Sequence, residues 1–398
     1  MRRLTSSILT AALLGSALSI APVSPAVAAP AREIAYAQWD APAELRGGRS
    51  TGLRVADGLL LLRRGESSGS WTSPWEAPGF DLTRLIASWS ARTPGDSLLR
   101  VEVRGRAGAR TSSWDTLAAW AAGDRHVRRT TDSGQTDDLG SVNVDTWVVP
   151  NGVSSYQLRL TLERGGGASP TVDVIGAVAS RLPAVSDVGT SRPGVGRGIV
   201  LDVPRYSQMV HGGHYPQYGS GGEAWCSPTS TSMVLGYYNA LPKPSAYSWV
   251  PSGHVDPWVD HAARMTYDYD YDGTGNWPFN TAYAAPLAGR AFVTRLRTMR
   301  EAELFIAAGI PLVVSIAFGR GELSGAPISS TDGHLLVIVG FTESGDVVVN
   351  DPAAATRAGV RRTYDRGQLE DAWIPTTGGT VYVITDDAHP LPESRDNW

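Results

Sequence analysis

Cys226 is the only cysteine in a chain of 398 residues. It directly precedes the segment SPTSTSMVLGYYNA, which predicts a helix over residues 227–240 with Pro228 suited to the first turn. The free N–H groups and positive dipole end of a helix stabilise a thiolate, the form of cysteine that attacks carbonyl carbon. The position therefore favours a nucleophile, although a lone cysteine is also compatible with an inert buried thiol or an intermolecular bridge.

A cysteine nucleophile needs a histidine base, and His334 is the best placed of the seven histidines. It begins the apolar segment HLLVIVGF, and Asp351 ends the next apolar segment, DVVVND. The turn residues TESG between the two segments predict a β-hairpin that brings both residues to its open end. A carboxylate at that end would accept the second imidazole N–H and fix the tautomer of the base.

The register of this hairpin leaves the pairing open. A turn centred in TESG would put His334 opposite Ala355, so contact with Asp351 requires an earlier turn or a bulge. Asn350 takes the orienting role if the strand slips. The alternative is that the histidine and the aspartate are unrelated polar residues at a sheet edge.

Four segments in this order resemble the papain-like cysteine peptidases of the bacteriocin-processing type (the peptidase C-thirty-nine-like group): VPRYSQ, WCSPTSTSMVLGYY, AGIPLVVSI and GHLLVIVGFTESGDVVVNDP. The resemblance covers roughly residues 199–386 and implies an α+β papain-like domain that hydrolyses peptide or amide bonds. It implies that Cys226 is the nucleophile, His334 the base and Asp351 the orienting acid.

The same resemblance implies an oxyanion-hole glutamine upstream of the cysteine. Gln208 matches that place, although its distance in sequence from Cys226 is longer than in the transporter-linked members, and Gln217 is a weaker candidate. Transporter-linked members carry membrane and ATPase domains and trim double-glycine leaders inside the cell. This sequence shows neither domain, so leader trimming is not implied.

The elements that must position these residues fall into two predicted domains. Residues 30–183 alternate short apolar segments with Gly, Pro, Asp and Ser, which predicts an all-β sandwich or jelly roll. Residues 184–198 have the composition of a linker, residues 199–386 predict the α+β peptidase domain, and residues 387–398 form a C-terminal tail. Within the second domain, residues 199–208 predict an entering strand.

The predicted sandwich is rich in tryptophan. Such rings either fill the core, which we favour, or form a flat platform for cell-wall or plant carbohydrate, which would make carbohydrate a second partner. The residues concerned are Trp39, Trp71, Trp75, Trp89, Trp114, Trp120 and Trp147.

The N-terminus predicts export. Arginines at positions 2 and 3, an apolar run over residues 8–20 and small residues before Ala28 form the pattern of a signal peptide over residues 1–29. We therefore expect a secreted protein, extracellular or associated with the cell wall, without stable membrane insertion. The net charge of −4 and the scattered arginines exclude a basic stripe for nucleic acid.

Neither a cofactor nor a metal ion is expected. The segment DYDYDGTGNW has the Asp268, Asp270 and Asp272 spacing of a calcium loop, but Phe279 stands where an EF-hand needs a bidentate glutamate. We interpret it as a turn-rich loop beside the groove and leave calcium open. His211 and His214 lie in the loop HGGHYP and receive no role.

The leading hypothesis is a secreted cysteine peptidase that acts on a peptide or protein substrate. Two alternatives remain at this point. One is an acyl transferase or peptidoglycan amidase that uses the same triad. The other is a wall- or carbohydrate-binding protein whose papain-like domain is catalytically silent.

Overall fold

The computed structural model describes residues 31–136, 138–184 and 188–398, so the predicted signal peptide lies outside the described residues. Residues 32–398 form one compact unit. Within it, an all-β N-terminal part precedes a mixed α/β part, as the sequence predicts; the exact domain limits stay a prediction. None of the helices in the described ranges has the length and apolar character needed to cross a bilayer.

The N-terminal part consists of two antiparallel sheets. Its elements are β1 (Glu33–Trp39), α1 (Pro42–Gly47), β2 (Arg49–Thr51), β3 (Leu53–Ala56), β4 (Leu59–Leu62), β5 (Ser68–Thr72), β6 (Leu82–Arg92), β7 (Leu98–Ala107), β8 (Arg110–Thr111), β9 (Asp115–Trp120), β10 (Ser141–Asn143), β11 (Thr146–Val153), β12 (Ser155–Glu163) and β13 (Thr171–Arg181). One sheet has the order β10-β11-β6-β13-β4-β3, with β1 on β13, and the other has the order β2-β5-β12-β7-β8, with β9 on β7.

Tryptophans fill the interior of this part. Trp71, Trp89, Trp120 and Trp147 are at most 1% exposed, and the indole N–H of Trp147 donates to Asp115 at 2.6 Å. Trp39 is also buried. The two remaining rings, at positions 75 and 114, are partly exposed and are covered by arginine guanidinium groups. The core interpretation therefore applies to the buried rings, and nothing in their arrangement supports a carbohydrate platform.

The C-terminal part begins with helices and ends with an antiparallel sheet of order β14-β19-β15-β16-β17-β18. Its elements are α2 (Cys226–Tyr237), α3 (Pro257–Thr266), α4 (Trp277–Ala288), β14 (Arg290–Arg295), α5 (Met299–Ala307), β15 (Leu312–Phe318), β16 (Thr331–Phe341), β17 (Val347–Asn350), α6 (Arg357–Val360), β18 (Arg361–Tyr364), α7 (Arg366–Trp373) and β19 (Thr380–Thr385). Short 3-10 helices span Gln208–His211, Gly222–Ala224 and Pro244–Tyr247.

The entering strand predicted over residues 199–208 is wrong. The segment pairs with β16 at a single bridge, Val200 with Gly340, and none of its residues belongs to a strand. Pro204 has no N–H for a ladder, and the side-chain amide of Asn350 binds the carbonyls of Val203 and Pro204. Side-chain bonds thus replace strand pairing where the chain approaches the site.

The two parts are joined by buried polar contacts. The guanidinium of Arg129, which is fully buried, donates to the carbonyls of Arg264 (2.7 Å) and Tyr267 (3.2 Å) at the end of α3. The backbone N–H of Val293 in β14 donates to the hydroxyl of Ser88 in β6 at 2.8 Å. Ser88 belongs to one sheet, and Arg129 precedes Thr130, which bridges to Ala119 of β9 in the other sheet, so both sheets of the N-terminal part are tied to the C-terminal part.

Candidate active site

Helix α2 carries Cys226 at its first residue and is buried over residues 227–235. Small hydroxyl side chains allow such a helix to lie inside the domain, because they occupy little volume and several of them bond to neighbouring elements. The Ser227 hydroxyl lies 2.9 Å from the Tyr382 hydroxyl, and Ser230 donates to the Leu335 carbonyl at 3.1 Å. These bonds fix the helix against the sheet, while the thiol of Cys226 stays partly exposed at the end.

His334 and Asp351 meet, although β16 and β17 are not in simple register. His334 Nε2 lies 2.8 Å from Asp351 Oδ1, and both side chains are almost fully buried. The strands pair Val337 with Asn350 and, after a shift between Ile338 and Gly340, Gly340 with Val348. The turn closed from Thr342 to Asp346 and the bulge each shift the pairing by one residue, so this register, continued to His334, lies level with position 353 rather than 355. The imidazole then reaches Asp351 diagonally, two residues away.

Gly340 makes room for this bulge. A Cβ at that position would lie 2.2 Å from the carbonyl oxygen of Ile199, which is closer than atoms can approach. The backbone of residues 199–201 fills the space, with Leu201 N–H donating to Val339 and Phe341 N–H to Ile199 at 2.8 Å each. The glycine therefore allows the incoming segment and the bulge to coexist.

Asp351 is held by more than the histidine. Its Oδ1 accepts the Ala353 N–H at 3.0 Å, and its Oδ2 accepts the hydroxyl of Tyr364 at 2.7 Å. Tyr364 ends β18, is 1% exposed and was not among the residues singled out from the sequence. No sequence motif marks it, since its role depends on the pairing of β17 with β18.

The thiol and the imidazole interact directly. His334 hydrogen-bonds to Cys226, and the backbone N–H groups of Leu335 and Ser227 also donate to the sulfur. Because Nε2 of His334 bonds to Asp351, Nδ1 is the nitrogen that serves the thiol. The arrangement Cys226–His334–Asp351 is continuous and internal to the C-terminal part.

Electrostatics in this group favour the ionic pair of thiolate and imidazolium. Burial opposes the thiolate, but the hydrogen bond and the positive charge of His334 hold the pKa of Cys226 below its usual value. Burial likewise opposes the imidazolium, yet the Asp351 carboxylate and the thiol raise the pKa of His334 to about 10. The pKa of Asp351 is lowered, since the attraction of His334 and the bond from Tyr364 outweigh its desolvation.

Gln208 lies close to this group, but the N–H group of its side-chain amide is already engaged. Its backbone N–H donates to Pro352, and its side-chain Nε2 donates to the carbonyl of Glu223, three residues before Cys226. Its Oε1 is buried and, within the described ranges, without a hydrogen-bond partner. The weaker candidate, Gln217, is exposed.

Asn350 does not contact the histidine. Its side-chain Oδ1 accepts from Nε of Arg361 at 2.6 Å, and its Nδ2 binds the backbone of residues 203 and 204. The strand slip considered from the sequence is therefore not present, and the side chain that contacts His334 is that of Asp351.

A cleft of about 610 Å³ opens in front of Cys226 and includes both parts of the chain. From the C-terminal part come residues 271–275 and Gly333; from the N-terminal part come Arg84 and residues 143–146. Asp145 lies in this wall, and burial raises its pKa to about 6 while the Trp277 N–H and the Thr146 hydroxyl donate to it. Arg295 also faces the cleft, and burial lowers its pKa to about 9.

The aspartate-rich loop borders the cleft, and its carboxylates are engaged in hydrogen bonds. Asp268 is fully buried and accepts from Thr131 and Asn276, which ties the loop to the N-terminal part. Asp270 accepts the Ser133 N–H, and Asp272 accepts the Tyr267 hydroxyl. The three carboxylates serve separate partners, so the geometry gives no support to a calcium loop here.

Comparison with known proteins matches both parts of the chain. Residues 35–180 match the family model of the Peptidase C39 N-terminal domain, and residues 200–381 match that of the Peptidase_C39 like family. The search of curated proteins returned no match. Membership of this family suggests a cysteine peptidase, in agreement with the resemblance read from the sequence. With these two matches in this order along the sequence, the chain belongs to the C39-like peptidases and carries the N-terminal domain of such peptidases ahead of the peptidase domain.

Proposed function

We propose that this protein is a secreted cysteine peptidase with a papain-like catalytic domain and a Cys226–His334–Asp351 triad. The observation that carries the proposal is the 2.8 Å contact of His334 with Asp351, with Cys226 on the other side of the imidazole at a helix start. Helix α2 packed against an antiparallel sheet places the nucleophile and base on separate elements, as papain-like catalysis requires.

Peptide cleavage follows from this arrangement in two stages. The Cys226 thiolate attacks the carbonyl carbon, and the imidazolium of His334 gives its Nδ1 proton to the leaving amine as the C–N bond breaks. The acyl group remains on sulfur as a thioester. Neutral His334 then takes a proton from water, whose oxygen attacks the thioester, and the carboxylic acid leaves as the C–S bond breaks, which restores the Cys226 thiolate and the His334 imidazolium.

The oxyanion formed in each stage needs donors. The backbone N–H of Cys226, at the first position of α2, has no partner within the helix and is one such donor. Gln208 provides the second if its amide turns from the Glu223 carbonyl towards the sulfur. The turn would exchange one hydrogen bond for another, and it would take place on substrate binding.

A peptide or protein substrate would lie in the cleft in front of Cys226 and touch both parts of the chain. Residues 143–146 line the same cleft as Cys226, so the N-terminal part would contribute to substrate selection. Acidic Asp145 from the N-terminal part and basic Arg295 from the C-terminal part give the cleft charges of both signs. Export by the N-terminal signal would place this activity outside the cell.

A thiol-directed probe tests the proposal. We expect iodoacetamide to alkylate the wild-type protein at Cys226 at pH 6, where an ordinary thiol is almost unreactive, and His334→Ala to slow alkylation at least about tenfold. His126→Ala, at an exposed position far from the triad in sequence, is the matched control. Equal alkylation rates for wild type, His334→Ala and a short peptide containing the Cys226 segment would contradict the triad.

Cleavage of a peptide library tests the activity itself. Wild type is expected to cleave a subset of sequences, and Cys226→Ala none of them. Covalent labelling without cleavage of any peptide, including those presented at high concentration, would leave a reactive thiol but contradict a peptidase.

A further inference from the structure

A second cluster of ionisable side chains lies away from the triad, between helix α3 and the loop that leads to α2. Asp260, in α3, is completely buried, and His211, at the end of a 3-10 helix, is completely buried as well. His214 and His254 are about one-fifth exposed. None of these residues takes part in the proposed peptide cleavage.

The imidazoles converge on one carboxylate. His211 Nδ1 lies 3.1 Å from Asp260 Oδ2, and His214 Nδ1 lies 2.8 Å from Oδ1. His254 Nδ1 approaches the same Oδ1 at 3.1 Å, and its ring stacks on that of His214 with centroids 3.6 Å apart. The ligand atoms of His211, His214 and Asp260 all lie within 4.8 Å of one another.

Ligand number distinguishes this cluster from a simple pair of aspartate and histidine. In the described part of the chain, the side chains that bond to Asp260 are three imidazoles, with no arginine or lysine among them. One protonated imidazole would already compensate a buried carboxylate, so charge alone does not require a metal ion. A cation would in addition use the nitrogens of His211 and His214, which lie with a carboxylate oxygen within 4.8 Å of one another.

Ligand type and spacing select the ion. Zinc bonds of about 2.0–2.1 Å in a tetrahedron put neighbouring ligand atoms about 3.3 Å apart, close to the separations found here. Two imidazoles and one carboxylate suit zinc, while calcium and magnesium prefer oxygen ligands alone. The sequence did not reveal the set, because His211 and His214 stand three residues apart in a loop and Asp260 lies 46 residues after His214.

We propose that this cluster is a zinc site formed by Nδ1 of His211, Nδ1 of His214 and the Asp260 carboxylate, with a water molecule in the fourth position. His254, whose ring stacks on that of His214, supports the carboxylate and the His214 ring rather than binding the ion. The ion joins the loop of residues 211–214 to helix α3. It stabilises the fold and takes no part in bond cleavage. The site is independent of the proposed peptidase activity, and its test does not use that activity.

The site has a mechanical connection to the approach to Cys226. Gly222 packs so closely on His211 that a Cβ there would lie 2.0 Å from the His211 carbonyl oxygen. In addition, Glu223 accepts the Gly213 N–H and its carbonyl accepts the Gln208 amide. The zinc ion would therefore fix both 3-10 helices that precede α2.

Metal analysis of untagged protein tests the site. The Cys226→Ala chain, prepared without a polyhistidine tag or chelating resin, is expected to hold about one zinc per chain, because the ion binds at folding. His214→Ala should lower the zinc content at least about tenfold, and His254→Ala should weaken retention against a chelator without abolishing binding. His126→Ala, an exposed histidine outside the cluster, should keep the wild-type content. Circular dichroism would establish that each variant is folded.

Cobalt substitution and thermal unfolding provide two further tests of the site. Replacement by cobalt(II) is expected to give the visible bands of a tetrahedral site without a thiolate charge-transfer band, since the only cysteine has been removed. The chelator should lower the Tm. Added zinc should restore the Tm, whereas added calcium or magnesium should not. A folded protein that holds less than about a tenth of a zinc per chain after zinc loading, with Tm insensitive to zinc, would overturn the proposal. Equal zinc content in His214→Ala and His126→Ala would overturn it as well.

Discussion

Contacts of single side chains orient the groups of the proposed triad and shift their pKa values. Cys226, His334 and Asp351 could be chosen from the sequence because each stands at the boundary of a recognisable apolar segment. Tyr364 could not, since nothing in RRTY distinguishes a tyrosine that binds a carboxylate from one that fills a core. Local patterns therefore predict the three groups of the proposed triad, whereas the hydroxyl that holds the Asp351 carboxylate is visible only in the structure.

The proposed pair of thiolate and imidazolium predicts a broad pH range for activity. Because the pKa of Cys226 is lowered, kcat/KM should rise on the acid side well below the pH of about 8.5 at which an ordinary thiol ionises. Because the pKa of His334 is raised to about 10, kcat/KM should fall only as the pH approaches that value and the imidazolium loses its proton. A pH profile of kcat/KM measures both limbs. A single rise centred on the ordinary thiol value would contradict the prediction.

Removing the hydroxyl of Tyr364 should weaken the triad without dismantling it. Tyr364→Phe leaves Asp351 Oδ2 without its 2.7 Å donor, so the carboxylate orients His334 less firmly. We expect kcat to fall roughly fivefold to twentyfold, since a hydrogen bond to a charged group contributes about 1.5–3 kcal/mol and part of that is retained through the Ala353 N–H. KM should change little. Tyr247→Phe, which leaves the triad untouched, is the control, and equal kcat in both variants would contradict an orienting role.

At the scale of secondary-structure elements, the bulge in β16 decides how His334 and Asp351 are brought together. The hairpin of β16 and β17 was predictable from its two apolar segments, but its register was not, because the space left by Gly340 is taken by a segment more than a hundred residues earlier. For the same reason residues 199–208 appeared to be a strand: their apolar pattern reflects contact with β16 rather than membership of the sheet.

A methyl group at position 340 should displace this arrangement. Gly340→Ala would bring a Cβ within 2.2 Å of the Ile199 carbonyl, so either the incoming segment or the bulge must move. We expect a loss of about 1–3 kcal/mol in the free energy of unfolding, measured by urea titration, and a larger proportional loss of kcat because His334 moves relative to Asp351. Gly123→Ala is the control, since a Cβ there has no heavy atom within 4 Å. Equal stability of the two variants would contradict a steric conflict between a side chain at position 340 and the Ile199 carbonyl.

At the scale of the whole molecule, the two predicted domains behave as one compact unit. The sequence indicated the all-β and mixed character of the two parts from their local patterns. It could not indicate the buried bonds between them, because Arg129 and its carbonyl partners in residues 264–267 lie far apart in the chain and belong to no motif. The predicted C-terminal tail is likewise bound: the Asp396 carbonyl accepts the Tyr36 N–H of β1 at 2.7 Å.

The last residues of the chain should therefore contribute to stability. The side-chain amide of Asn397, which is fully buried, donates to the Arg295 carbonyl at 2.9 Å and to Glu301 at 3.0 Å. Asn397→Ala removes both bonds, although Glu301 keeps the Arg297 N–H as a donor, and we expect a loss of about 1–3 kcal/mol, seen as a lower Tm. Glu393→Ala, at an exposed position in the same segment, should leave Tm unchanged. Equal Tm values for both variants would mean that the segment is not bound in solution.

The wall of the cleft formed by residues 143–146 has a consequence for engineering. Cys226 and His334 belong to α2 and β16, while this wall belongs to the hairpin of β10 and β11 in a different sheet. In the proposed peptidase, target preference can therefore be varied apart from reaction chemistry. Positions 143 and 144 are the ones to randomise and screen against a fixed catalytic group, because Thr146 is buried and Asp145 accepts the Trp277 N–H, so exchanging those two would disturb the contact between the two parts.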